Sequence, residues 1–156
     1  MVYDTARKFF DAVLEASQDA ERIQRQLQDM HARAALPSGQ SEAHAHVRGG
    51  RNRDRLGESV VTLVTAEERL EKRLEADYAM LDTATAVLYG TDLDRGLCAF
   101  VAPWVADAIY QHYCNVISWP EVSRMVAYER RYMMGKVKAA FALMDRKGMT
   151  ATIEGA

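Results

Sequence analysis

The side chains best suited to chemistry lie between Ser118 and Asp145, where positive charge gathers on a helical pattern. Arg124, Arg130, Arg131, Lys136 and Lys138 fall outside the apolar positions of this stretch and so are free to face water. A guanidinium can bond a phosphate or the acceptor edge of guanine through two parallel hydrogen bonds, whereas a lysine acts mainly as a point charge. Glu129 stands at the head of the second helical pattern, where a carboxylate suits a helix N-terminus but repels phosphate unless it accepts from a cytosine amine. From Trp119 to Gly148, Arg146 and Lys147 join the five cations above, against only Glu121, Glu129 and Asp145. The whole chain carries 20 Lys and Arg against 22 Asp and Glu, a net charge of −2, so it lacks the composition of an unselective polyanion binder. The charge that matters is local.

Other chemistries lack their parts. There is no glycine-rich phosphate loop, no nucleophile elbow and no zinc-protease helix in the 156 residues, so no enzyme and no cofactor is expected. Cys98 and Cys114 are the only cysteines and stand far apart without a Cys-x-x-Cys pattern, which points to reduced thiols. His44 and His46 alternate in a polar stretch, with His31 and His112 elsewhere, and no paired carboxylate or thiol completes a ligand set, so no metal is expected.

The basic residues need elements to carry them. Trp119, Val122 and Val126 recur at helical spacing, with Ser118 as N-cap and Pro120 in the first turn, where a missing N–H costs nothing. Met133, Val137, Ala140, Phe141 and Met144 form a second stripe, and only Val126-Ala127-Tyr128 separates the two patterns, a connection of the length found in a helix-turn-helix. Trp104 and Trp119 are expected to anchor a small core with Tyr110 or Tyr113 and with Phe141. Pro103 must either begin a helix or kink one, and Asp92 or Asp94 can cap the element before it.

Upstream, Ala6, Phe9, Val13, Ala16, Ala20, Ile23, Leu27, Met30 and Ala34 recur in steps of three and four, the coiled-coil period, with Asp4 and Thr5 available as caps. A second long helix is predicted from about Glu58 to Leu88 or Tyr89, closed by Gly90. Between them, Leu36–Gly57 is rich in Gly and polar residues and reads as a loop, locally basic around Arg48, Arg51, Arg53 and Arg55. The expected fold is therefore all-α, a long antiparallel helical hairpin of coiled-coil type followed by a small C-terminal helix-turn-helix domain. The expected divisions are 1–90 for the hairpin, with its flexible loop at 36–57, 91–148 for the C-terminal domain, and 149–156 for a loose tail. The partly covered seam of two amphipathic helices favours a homo-oligomer. No apolar run reaches the length of a membrane span, and a cytoplasmic location with no membrane partner is expected.

Ile109, Tyr110 and Tyr113, then Trp119-Pro120-Glu121-Val122-Ser123, then Val126-Ala127-Tyr128-Glu129-Arg130-Arg131 also carry a likeness. The run resembles the C-terminal motif of phage sigma-like regulators of the RinA type, which are similar to region four of bacterial sigma factors. The resemblance implies a DNA-binding transcriptional regulator, with double-stranded DNA as partner and host RNA polymerase or another host protein as a second. That family usually has Gly in the turn and Ser at the head of the recognition helix, where this chain has Ala127 and Glu129. Two alternatives stay open: a phage inhibitor or adaptor that grips a host protein through its helices, and a packaging component similar to a small terminase subunit.

Overall fold

The computed structural model describes residues 3–35, 51–91, 95–151 and 153, and over 51–64 the backbone alone. Five α-helices occur among the described residues: α1 (Ala6–Ala34), α2 (Arg51–Tyr89), α3 (Pro103–Tyr113), α4 (Trp119–Val126) and α5 (Arg130–Lys147), with a 3₁₀ turn at Gly96–Ala99 before α3. No strand occurs among them, so the all-α expectation holds.

Local chemistry accounts for most helix ends. Thr5 Oγ1 accepts the Lys8 N–H at 3.2 Å and so caps α1, while Asp4 pairs with Lys8 at 3.0 Å. Gly90, at φ 71°, closes α2 with its N–H on the Ala86 carbonyl at 2.8 Å, and a Cβ there would meet Arg95 at 2.4 Å. Pro103 starts a helix rather than kinking one. The start of α2 differs from expectation. The helix begins at Arg51, so 51–57 of the expected loop are helical, Gly57 included. Arginine is a strong helix former, and one interior glycine costs only about 1 kcal/mol, which a long helix absorbs. The rest of the expected loop, with His44, His46 and Arg48, and the expected caps Asp92 and Asp94 lie outside the described residues.

The chain divides into two compact units, Met1–Ala20 with Ala76–Ala156, and Glu21–Glu75. The core of the first unit is built from both ends of the chain: Phe9, Phe10 and Val13 of α1 are buried with Ala84 and Leu88 of α2 and with Ile109, Val122, Met133, Val137 and Met144 of α3 to α5. Phe10 packs on Tyr113 and on Phe141, each with ring centroids 5.5 Å apart. Ser17, also buried, places its Oγ 2.8 Å from the Tyr113 carbonyl, which as the last carbonyl of α3 has no donor within its own helix. The Ala6 N–H in turn donates to Asp145 Oδ1 at 2.7 Å, across 139 residues of sequence. The physical reason is size, because α3, α4 and α5 are too short to enclose a core by themselves.

The segment after α5 is not loose where it is described. Gly148 adopts φ 62°, which brings the Met149 N–H to the Met144 carbonyl at 3.0 Å. Thr150 is thereby buried, and Met149 and Ile153 pack against the core.

In the second unit, parts of α1 and α2 lie side by side. Ile23 is buried, Leu27, Met30, Leu70 and Leu74 are half-buried, and His31 Nε2 lies 3.2 Å from Glu67 Oε1. An open groove of about 670 Å³ runs beside them, lined by charges of both signs, among them Asp29, Arg33 and Arg69.

Candidate nucleic-acid interface

The basic stretch is carried by α4, a tight turn and α5. Ser118 occupies the N-cap position of α4, but its hydroxyl makes no capping bond, which corrects the role expected for it. Its carbonyl still accepts the Val122 N–H at 2.9 Å, and Pro120 sits in the first turn, where it demands no donor. α4 stops because Ala127 turns left-handed, at φ 59° and ψ 35°. The Ser123 carbonyl accepts the N–H groups of both Ala127 and Tyr128, and the Ser123 hydroxyl donates to the Tyr128 carbonyl. An L-residue with a Cβ pays for this conformation and glycine does not, so Ala127→Gly is expected to raise stability by about 0.5–1 kcal/mol in urea unfolding. A loss of stability would mean that the Ala127 methyl packs more than it strains.

Glu129 is the N-cap residue of α5 and is exposed, again without a side-chain capping bond. Along α5, Met133, Val137, Ala140 and Met144 are buried on one stripe. Arg130, Arg131, Lys136 and Lys138 are all exposed, as their positions off that stripe predict. Among the described residues none of these four forms an ion pair. Arg124, on α4, approaches Glu121 only to 3.9 Å, and both are exposed, so the pair is too weakly held to withdraw the guanidinium.

The four expected anchors separate into two groups. Tyr113 and Phe141 belong together, edge to face at 5.9 Å, and Tyr113 rather than Tyr110 also meets the edge of Trp119 at 5.9 Å. Trp119 lies flat on His112, 3.9 Å between centroids and 18° between planes, while His112 Nδ1 is 2.7 Å from the Ile117 carbonyl. Trp104 shares none of these ring contacts. It stacks on Tyr128 at 4.1 Å and 23°, and lies nearly parallel to Tyr132 at 6.1 Å. The half-exposed pair Tyr128 and Tyr132 is the part of this surface that neither the apolar stripe nor the run of cations marks. Its signal was there in the spacing, two tyrosines four residues apart across the helix start.

Away from this surface, the Tyr89 hydroxyl donates to Asp107, and burial first, then that bond, hold the phenol protonated well above the usual tyrosine range. Cys98 and Cys114 are unpaired thiols. Burial pushes the Cys114 thiol up to about 12, which leaves a thiolate fraction on the order of one in ten thousand at pH 8. Iodoacetamide at pH 8 is therefore expected to alkylate Cys114 at least a hundredfold more slowly than a free thiol, read by mass spectrometry of the folded chain. Labelling at the rate of a free thiol would show that this part of the core opens readily. No three His, Cys, Asp or Glu side chains converge as metal ligands among the described residues, and no helix there is long and apolar enough to cross a membrane.

No protein-family model, no curated protein and no solved structure matches the chain.

Proposed function

We propose that this chain is a DNA-binding transcriptional regulator of the phage sigma-like kind, with α4 and α5 as its helix-turn-helix and α5 as the helix that enters the major groove. The supporting observation is the two-sided character of α5: one stripe is buried, while Arg130, Arg131, Lys136 and Lys138 stand exposed and free of ion pairs among the described residues. Cations that no internal carboxylate neutralises are available to phosphate, and binding to DNA releases its condensed counterions. In this reading Arg130 and Arg131, at the head of the helix, reach base edges or the nearest phosphates. Lys136 and Lys138 follow the backbone, and Arg124 approaches it from α4. The long helices α1 and α2 form an antiparallel hairpin that serves assembly into a homo-oligomer or contact with polymerase.

A second reading, an adaptor that binds a host protein with a helix-turn-helix no longer used on DNA, is favoured by the exposed Glu129 carboxylate at the head of α5. A mobility-shift titration of the full chain decides between them, with phage promoter duplexes and random duplexes at about 50 and 200 mM salt. The regulator reading expects binding that weakens steeply with salt and prefers some sequences. Absence of any shift at low salt leaves the adaptor.

A further inference from the structure

The rings at the turn between α4 and α5 are left open in a way that core packing does not require. Tyr128 stacks face to face on Trp104 at 4.1 Å, and Tyr132 completes the cluster 5.5 Å from Tyr128. Yet Tyr128 remains 40% exposed and Tyr132 50%. The position of Tyr128 is also held firmly. Its N–H and its carbonyl are both bonded to Ser123, and it follows a left-handed residue that allows little freedom. One cation lies over the rings, Lys136 Nζ at 5.5 Å from the Tyr132 ring centre, and Arg130 and Arg131 stand in the same first turn of α5 as Tyr132.

We infer that Trp104, Tyr128 and Tyr132 form a stacking platform for unpaired DNA bases, next to the duplex that α5 contacts; this rests on the reading of the chain as a DNA-binding protein. Every base has a π-face, so a rigid, half-open aromatic cluster accepts it whatever its sequence. Lys136 and the exposed guanidiniums of the same helix, Arg130 and Arg131, are available to the phosphates that flank a stacked base. Bases inside a closed duplex cannot reach such a platform, whereas those of a bubble, a fork or a single strand can. A protein ligand could also use the rings, but it would leave three cations without a matching charge unless it were acidic, and single-stranded DNA supplies both the π-faces and the charge.

The test uses the full chain, with binding read from the anisotropy of labelled DNA, and beside it the same chain carrying Trp119→Phe and melting as the parent does, in which Trp104 is the sole tryptophan and its fluorescence reports on the platform. Both are titrated with an oligothymidine of about 12 nucleotides, with a blunt duplex, and with the same duplex containing a central bubble. The expected result is quenching of Trp104 by the oligothymidine and the bubble but not by the blunt duplex, with the bubble bound about tenfold tighter than the duplex. Tyr132→Ala should remove about tenfold of the affinity for the bubble and the single strand and change blunt-duplex binding less than twofold, while Tyr132→Phe behaves as the parent. Should Tyr132→Ala lower the melting temperature, Tyr132→Leu keeps the apolar bulk without the π-face and is expected to show the same loss. If the blunt duplex binds and the bubble binds no better, or if the Tyr132 variants weaken both alike, the platform is wrong and the regulator reading stands. An oligouridine bound more tightly than the oligothymidine also overturns it. If neither duplex nor single strand binds at low salt, both readings fall together.

Discussion

Phe10→Ala is expected to cost about 3–5 kcal/mol of folding stability, the range for truncating a buried aromatic, and so to remove much of the margin of a chain this size. The ring is fully buried and touches Phe9, Tyr113 and Phe141, which places it where the N-terminal turns of α1 meet α3 and α5. Removing it opens a cavity at the point where both ends of the chain share a core. Urea unfolding followed by circular dichroism measures the loss. A fragment beginning at residue 91 should correspondingly lack a cooperative transition, because Phe9, Phe10 and Val13 would be missing from its core. A fragment that melts cooperatively with helical content would show that α3 to α5 close on themselves, and then Phe10→Ala should cost less than about 1 kcal/mol.

The second large effect concerns the outward face of α5. In the DNA-binding reading, the double variant Arg130→Ala with Arg131→Ala is expected to lose about 100-fold or more in affinity for a preferred duplex, since each base-reading arginine is worth about 1–3 kcal/mol. Arg131→Ala alone should relax sequence preference. Lys138→Ala should weaken all duplexes alike and reduce the salt slope by about one unit. All three side chains are exposed and free of ion pairs among the described residues, so melting temperatures should stay within a degree or two of the parent. Lost affinity with unchanged melting therefore separates binding from stability. Trp119→Ala makes the contrast, because its ring lies on His112 and Tyr113, and its loss should lower melting and DNA affinity together. If the double arginine variant binds as the parent does, α5 is not the DNA-facing helix.

Much of the helical framework was legible because its causes are local. A stripe such as Met133, Val137, Ala140 and Met144 needs only its spacing to show which face turns inward, and the structure buries those four. Gly90 and Pro103 mark a helix end and a helix start because backbone geometry at one residue decides them. Ala127 illustrates the limit of such rules. The chain makes the left-handed turn without the glycine that would make it easily, since the flanking helices and the two bonds from Ser123 hold it there. Arg51–Gly57 illustrates another. Gly and Asn weaken a helix by an amount that a 39-residue helix can carry, so composition there suggested a loop where the backbone is helical.

By itself the sequence determined the helical class, and the inward stripe and exposed cations of α5, all of which follow from period and residue type along a single element. Only the tertiary structure decided that α1 joins the C-terminal helices, that Asp145 bonds the first N–H of α1, and that Trp104 stands with Tyr128 and Tyr132 while Trp119 stands with His112. The physical reason is that apolar burial has no direction. Phe10 would be equally satisfied against many apolar faces, and which face it meets depends on how the connections return the chain and on which shapes interlock.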